Sequence, residues 1–173
     1  MRLNLRVALV LLVALVAIGG LWSGFTAAPS ANDLGKTAGE QKIVTLVIDF
    51  GEKSGLPLKV LKVDDLSAEA TGWDVLLQSG TKVQGTSQYP SGFVCRIDGW
   101  PSEREQACDE TPSFSEGHWA YFVTSKSLGG EWIMSGQGAA THVPECGAFE
   151  GWKWLGPGED STPPTESPKL GVC

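Results

Sequence analysis

Four cysteines constrain the fold of this 173-residue chain more than any other feature, and they stand at Cys95, Cys108, Cys146 and Cys173. An even number of cysteines in an exported chain is typical of a disulfide-stapled domain. Four cysteines allow three pairings, of which we favour Cys95–Cys108 and Cys146–Cys173. The first pairing closes a loop of 13 residues, which is worth about 3 kcal/mol in the chain-entropy model. The second would tie a proline-rich tail back to the domain.

Stable disulfides form mainly outside the cytosol, and residues 1–31 have the features of an export signal. Arg2 and Arg6 form a short basic region, and the run at 7–18 is entirely apolar. Such a run has the length of a signal-peptide core and is shorter than the ~20 residues that span a bilayer. Small residues at 26–31 offer a cleavage site, and the alternative is an uncleaved membrane anchor. We therefore expect a secreted or cell-surface protein that contacts the membrane only if this segment is retained.

The charge balance limits the kind of partner that the protein can bind. The chain has 13 Lys and Arg against 20 Asp and Glu, and its net charge of −7 becomes −9 when residues 1–31 are removed, because two arginines leave and no acid does. So acidic a protein lacks the basic face that nucleic acids require, and it is not attracted to anionic lipids. The length suits one domain of ordinary size.

Local sequence patterns predict a single α+β domain over residues 43–155, preceded by a linker at 32–42 and followed by a proline-rich tail at 156–173. One helix packed on a mostly antiparallel sheet is the architecture that this order of elements favours. The strands are inferred from β-branched and alternating runs bounded by glycine or proline. In chain order we expect strands at 43–50 and 58–63, a helix within 65–80, and strands at 93–98, 118–124, 131–135 and 149–155.

The helix prediction depends on a short pattern. Trp73, Leu76 and Leu77 recur at helical spacing, and Gly80 is a natural residue to end a helix. Gly72 counts against the helix, because glycine in a helix interior costs about 1 kcal/mol relative to alanine.

Tryptophan is unusually frequent, with seven residues against two tyrosines. Strand alternation puts Trp119 and Tyr121 on one face of their strand. It also puts Trp152 and Trp154 on one face of the last strand. One short helix cannot cover both faces of a sheet, so we expect some rings at a surface that binds a flat or sugar-like ligand or a partner; the alternative is that they fill a small core. The candidate ligand-binding residues are Trp119, Tyr121, Trp152 and Trp154, with Trp100 and Trp132 at strand ends.

No sequence motif indicates catalysis or metal binding. The nucleophile elbow GxSxG and the zinc motif HExxH are absent. His142 and Cys146 have the spacing of metal ligands, but no CxxC motif or paired histidines accompany them. We therefore predict no catalytic residue, no metal and no cofactor. Pairs of acidic residues are interpreted as solvated turns, and they are Asp64 with Asp65, Glu103 with Glu105, Asp109 with Glu110, and Glu159 with Asp160.

The order of several motifs resembles a known family. The motifs are GFVCRIDGWP at 92–101, CDETP at 108–112, HWAYF at 118–122, GEW at 130–132 and EGWKW at 150–154. This succession resembles small secreted actinobacterial proteins of unknown function, which are distantly similar to the C-terminal domain of transcobalamin and intrinsic factor. The resemblance spans roughly residues 43–155 and implies a compact, non-enzymatic α+β domain with a transcobalamin C-terminal-like fold.

The resemblance also implies a class of ligand, because bacterial members of the family often sit beside uptake systems for cobalamin-type vitamins. The leading hypothesis is a secreted binding or accessory module of the cell envelope for a flat, tetrapyrrole-like ligand or an envelope protein. The chain does not contain the large helical domain that forms the other half of the transcobalamin site. Two alternatives are an envelope structural protein with no small ligand and a small secreted hydrolase that uses acidic residues.

Overall fold

The computed structural model of the protein describes residues 41–113 and 115–173. They form an α+β fold in which most strand pairs are antiparallel, as predicted. The signal segment predicted at 1–31 lies outside the described residues, as does most of the linker predicted at 32–42, whose last residue already belongs to the first strand. The elements are β1 (Lys42–Asp49), β2 (Lys59–Leu66), α1 (Gly72–Gln78), β3 (Val83–Gly85), β4 (Val94–Ile97), β5 (His118–Val123), β6 (Ile133–Met134) and β7 (Phe149–Leu155).

The main sheet has five strands in the order β2-β1-β7-β5-β6. β1 and β2 form the predicted antiparallel hairpin, and β7 pairs antiparallel with β5, which sets Trp154 beside Trp119 and Trp152 beside Tyr121. β7 also pairs with β1, and that pair is parallel. The last strand of the chain therefore lies at the centre of the sheet, where both of its faces are covered.

Strand alternation divides the sheet into two faces, and the first face carries the main core. Helix α1 packs on this face through Trp73, Val75 and Leu76. Successive side chains of a β-strand point to opposite sides of the sheet, so residues two positions apart share this face. The sheet contributes Val44, Leu46, Ile48, Trp119, Tyr121, Val123, Trp152 and Trp154 to the same cluster.

The second face of the sheet is covered by the tail at 156–173. The Trp132 Nε1–H donates to the carbonyl of Glu166 at 2.8 Å, and the Thr165 N–H donates to the Asp49 carboxylate at 3.0 Å. Cys173 lies at disulfide distance from Cys146, with Cα atoms 6.0 Å apart. The predicted tie of the tail is therefore present, and it supplies the cover that one helix could not.

Helix α1 is shorter than the segment predicted at 65–80. Thr71 caps its N-terminus, and the Thr71 hydroxyl and Asp74 carboxylate form a capping box. Gly72 is the first helical residue, and any Cβ at this position would overlap the Tyr121 hydroxyl and the Glu150 carboxyl group. Glycine at this position is thus required by packing rather than by backbone conformation.

Among the residues that the structure describes, no helix has the length and hydrophobicity that a membrane span requires.

β3 was not predicted, and it changes the place of β4. The two strands pair with each other in a separate two-stranded sheet, so the predicted strand at 93–98 does not join the main sheet. Cys95 in β4 lies at disulfide distance from Cys108, with Cα atoms 5.7 Å apart, as predicted. The buried Arg96 side chain donates to the carbonyls of Pro101, at 2.8 Å, and Gln106. Together these contacts hold the loop that joins β4 to β5.

Candidate functional site

Four of the six predicted ligand-binding aromatic residues lie in the core. Trp119, Tyr121, Trp152 and Trp154 are each at most 9% exposed. The expectation of an aromatic surface on the sheet is therefore wrong for these four rings, because helix α1 and the segments packed with it cover their face. The other two candidates, Trp100 and Trp132, are partly exposed. Trp132 is held under the tail by its hydrogen bond to the Glu166 carbonyl. Trp100 is therefore the remaining candidate for a ring at a binding surface.

Trp100 connects the aromatic core to the surface. Its ring packs edge-on against Trp154 with centroids 6.3 Å apart, and Trp154 packs against Trp119 at 5.7 Å. The Trp119 Nε1–H donates to the Trp100 carbonyl at 3.3 Å. Edge-to-face pairs of this kind fix ring orientation as well as burying area. The exposed part of Trp100 is thus presented by a rigid set of rings.

A cleft opens beside Trp100. One hollow of about 220 Å³ is lined by Trp100 and Trp154 together with Glu105, Glu116 and Pro157. A second hollow of about 530 Å³ shares Glu105, Glu116 and Pro157 with the first. Because these three residues line both hollows, the two form one continuous surface, the aromatic–acidic cleft.

Glu105 and Glu116 hold their positions because each closes a short turn. The Glu105 carboxylate accepts the Ser102 N–H at 2.8 Å, and the Glu116 carboxylate accepts the Ser113 N–H at 2.9 Å. Hydrogen bonds from Ser102 lower the pKa of Glu105, and hydrogen bonds from Ser113 lower the pKa of Glu116. Both side chains are therefore ionised at neutral pH. The repeated Ser-x-x-Glu spacing was a sequence signal for these turns, although it did not reveal that they share a cleft.

Gln106 adds a buried acceptor to the same cleft wall. The residue is only 8% exposed and lines the larger hollow beside Asp109 and Glu110. Its Nε2–H donates to the Gly117 carbonyl at 3.0 Å, which determines which end of the amide carries oxygen. Among the described residues, the Gln106 Oε1 atom has no hydrogen-bond partner. No sequence pattern indicated that Gln106 lines the cleft, because its position depends on the path of the loop that the Cys95–Cys108 pair closes.

A second polar group lies deep in the core. Glu150 is fully buried on β7, and the Tyr121 hydroxyl donates to its carboxyl group. The His142 Nε2 atom lies 3.3 Å from Glu150 Oε1, which is an electrostatic contact rather than an aligned hydrogen bond. Burial raises the pKa of Glu150, and its contacts with His142 and Tyr121 oppose this. No sequence motif singled out Glu150, although alternation along β7 puts it on the same face as Trp152.

Lys42 is a buried cation whose charge interacts with Glu150. Its ammonium donates to the carbonyls of Ala68, Ala70 and Pro144 at 2.7–3.1 Å. Burial lowers the pKa of Lys42, and the negative charge of Glu150 opposes that shift. The hydrogen bonds join β1 to the segment that precedes helix α1 and to the segment that precedes β7. The side chains of Lys42, Glu150, Tyr121 and His142 form a structural network, because each of them contacts another of these side chains or the backbone.

Metal ligation has no support in the arrangement of ligand-type residues. Across residues 41–113 and 115–173, no three His, Cys, Asp or Glu residues are grouped so as to hold a metal ion. Cys146 faces Cys173, and His142 faces Glu150. The His142 and Cys146 side chains are therefore engaged separately.

Comparison with known proteins adds no further assignment. The sequence matches no protein-family model, and no curated protein matches it significantly.

Proposed function

We propose that this protein is an exported, non-enzymatic binding or accessory module of the cell envelope, whose ligand or partner contacts the aromatic–acidic cleft. The observation that carries the proposal is the combination of a partly exposed ring, Trp100, with ionised carboxylates in one cleft. Binding sites pair apolar walls with a few converging polar groups in this way. The Cys95–Cys108 pair holds the wall in place before any ligand arrives, which lowers the entropy cost of binding.

A cobalamin-type or other tetrapyrrole-like ligand is the small-molecule version of this proposal, and it comes from the family resemblance. The core positions of Trp119, Tyr121 and Trp152 leave Trp100 as the ring that a flat ligand could contact in the cleft. Such a ligand would contact Trp100 in the cleft and extend into solvent.

The acidic hydrolase is less well supported than a binding module. Glycosidases of that kind need one carboxyl group that is protonated near neutral pH and one that is ionised. The hydrogen bonds from Ser102 and Ser113 instead lower the pKa of both Glu105 and Glu116. Two carboxylates that are both ionised at neutral pH suit the recognition of positive charge better than general acid catalysis.

The proposal is tested by titrating the protein with cobalamin, cobinamide and heme while following tryptophan fluorescence. Absorption by the ligands is corrected with N-acetyltryptophanamide. A saturable response is expected to fall in Trp100→Phe and to persist in Trp132→Phe, the matched control. A response that disappears in the Trp132 variant instead would move the site away from the cleft. No response to any of the three compounds would eliminate the tetrapyrrole version and leave a protein partner.

A further inference from the structure

The charges lining the aromatic–acidic cleft, among the described residues, are of one sign with a single exception. Glu105, Asp109, Glu110 and Glu116 all line the larger hollow. The exception is Lys53 at the mouth of the smaller hollow. Its ammonium lies 3.0 Å from the Glu159 carboxylate and its side chain is 73% exposed, so it is paired outside the acidic wall. The cleft therefore carries an excess of negative charge on the wall that a ligand would meet.

Gln106 lines the larger hollow, and its amide is buried. Its Nε2 is committed to Gly117 and its Oε1 is buried without a partner in the described part of the chain. Because Oε1 is closed to solvent, the groups that a ligand meets in the cleft are the carboxylates and the rings rather than this amide oxygen.

The aromatic and proline residues of the cleft favour a cation with an apolar stem. Trp100 and Trp154 line the smaller hollow with Pro101 and Pro157. The face of an indole attracts an ammonium or guanidinium group, which is worth about 0.5–2 kcal/mol. Arginine and lysine combine such a head group with methylene groups that pack on apolar surface.

We propose that the aromatic–acidic cleft binds a basic segment of a partner protein, an inference that rests on the proposed function of the cleft as a binding site. An arginine or lysine side chain of that segment lies against Trp100, with its charged group between the carboxylates of Glu105 and Glu116. The two joined hollows of about 220 and 530 Å³ accommodate this side chain and the residues next to it. The net charge of −9 after removal of residues 1–31 also speeds the approach of a basic partner.

The probe is a capped peptide, acetyl-Gly-Arg-Gly-Arg-Gly-amide, titrated into the protein by calorimetry. The matched control peptide carries citrulline at both arginine positions, because citrulline keeps the shape of arginine and removes its charge. We expect saturable binding of the arginine peptide and at least about tenfold weaker binding of the citrulline peptide. Binding of the arginine peptide should weaken as salt is added.

The protein variants separate the cleft from the general acidity of the molecule. Glu105→Gln with Glu116→Gln keeps an oxygen that can close each turn and removes two charges, so it should weaken binding about tenfold. Asp64→Asn with Glu131→Gln removes two exposed charges outside the cleft lining and should leave binding unchanged. Thermal unfolding of both variants checks that the fold is intact.

The outcomes distinguish this inference from the proposed function. Equal binding of the arginine and citrulline peptides would overturn the inference, because the positive charge would then contribute nothing to binding. Equal weakening by the two variant pairs would also overturn it, because only the overall charge of the protein would then be at work. A response of Trp100 to a flat ligand without peptide binding would overturn the inference and leave the proposed function standing. No binding of the peptide would overturn the inference, and no response to cobalamin, cobinamide or heme would in turn eliminate the tetrapyrrole version of the proposed function.

Discussion

Glu150 shows how one residue can depart from the pattern around it and still be accommodated. Its carboxyl group is buried among the rings of the main core and is bonded to the Tyr121 hydroxyl. Burial raises its pKa above the ordinary value, although His142, Tyr121 and the charge of Lys42 act in the opposite direction. Folding therefore favours the protonated form of this group, and the free energy of unfolding must depend on pH through it.

Replacing Glu150 with glutamine should make the protein increasingly more stable, relative to the wild type, as pH rises. Because the pKa of Glu150 is higher in the folded state, the wild type loses free energy of unfolding above about pH 4.3, by up to about 1.4 kcal/mol for each pH unit, until the folded-state pKa is reached. The glutamine side chain of the Glu150→Gln variant does not titrate. Urea denaturation of both proteins across the acidic and neutral range measures the difference, and a difference that does not change with pH would contradict the prediction.

Gly72 should be intolerant of alanine although alanine is the better helix former. The added Cβ would overlap the Tyr121 hydroxyl and Glu150, and overpacking of this kind costs about 1–3 kcal/mol. Thermal unfolding of Gly72→Ala should show a lower Tm, while Gly136→Ala, where a Cβ meets open space, should show little change. Adding Tyr121→Phe to Gly72→Ala removes one of the two contacts and should cost less than the sum of the single changes; strict additivity would argue against this contact.

The tail at 156–173 contributes an element of the fold without forming a helix or strand. Asp49 anchors it by accepting hydrogen bonds from the Thr165 N–H and hydroxyl, and the Lys153 ammonium lies 3.1 Å from the same carboxylate. Burial alone would raise the pKa of Asp49, but these bonds and the Gly51 N–H lower it overall. Glycine at 151 is required beneath the tail, because a Cβ there would come within 2.9 Å of Pro164 and Trp132. A proline-rich segment thus becomes ordered by docking on a sheet.

Removing the Cys146–Cys173 pair should loosen this cover. The pair closes a loop of 27 residues, so Cys146→Ser with Cys173→Ser should lower the free energy of unfolding by about 3–4 kcal/mol in the chain-entropy model. The Trp132 indole N–H, which donates to Glu166, should exchange with solvent faster, as measured by NMR. An indole N–H that stays as protected as in the wild type would show that the tail docks without the bridge.

At the scale of the whole molecule, the central sheet is covered on both sides, by helix α1 on one and by the tail on the other. This arrangement determines where the six tryptophans of the described residues lie. Trp73, Trp119, Trp152 and Trp154 are at most 8% exposed, and Trp100 and Trp132 are partly exposed. A disulfide-braced domain of this size gains much of its core from large rings, because each buries a large apolar area.

Acrylamide quenching should therefore detect two classes of tryptophan in residues 41–173. Trp100→Phe with Trp132→Phe should remove most of the readily quenched fluorescence and leave a blue-shifted, protected component from the core rings. Trp73→Phe, which changes a buried ring, should leave the readily quenched fraction nearly intact. Strong quenching that persists in the double variant would show that the sheet face is open to water.

Local patterns were sufficient to predict several elements. Strand β7 was predicted with the bounds that the structure has, and the hairpin of β1 and β2 was predicted because β-branched runs flank a glycine and proline turn. The division of β5 into a face with Trp119 and a face with Phe122 was also predicted, since it depends only on alternation. Helix α1 was predicted too long, because residues 65 and 66 belong to β2 and Thr71 caps the helix.

The candidate site was much less predictable. Of the six aromatic candidates, Trp100 lies at the cleft surface, and Trp154 lines the cleft from the core. Glu105 had been interpreted as part of a solvated turn. Glu116 and Gln106 were not singled out, because their meeting depends on how the loop between β4 and β5 returns across the surface. Side chains that lie far apart in the sequence reveal a shared cleft only after the chain between them is placed.

The sequence by itself determined most of the strands, the alternation of their faces and the preferred cysteine pairs, because each of these depends on residue spacing along the chain; strand β3 was not among them. Only the tertiary structure decided which segment of the chain covers each face of the sheet. The tail closed the second face of the sheet, Glu150 was enclosed with Tyr121 and His142, and the acidic turns were brought beside Trp100. Burial is a property of the whole packed chain, since the area that one segment loses to solvent depends on every segment that packs against it.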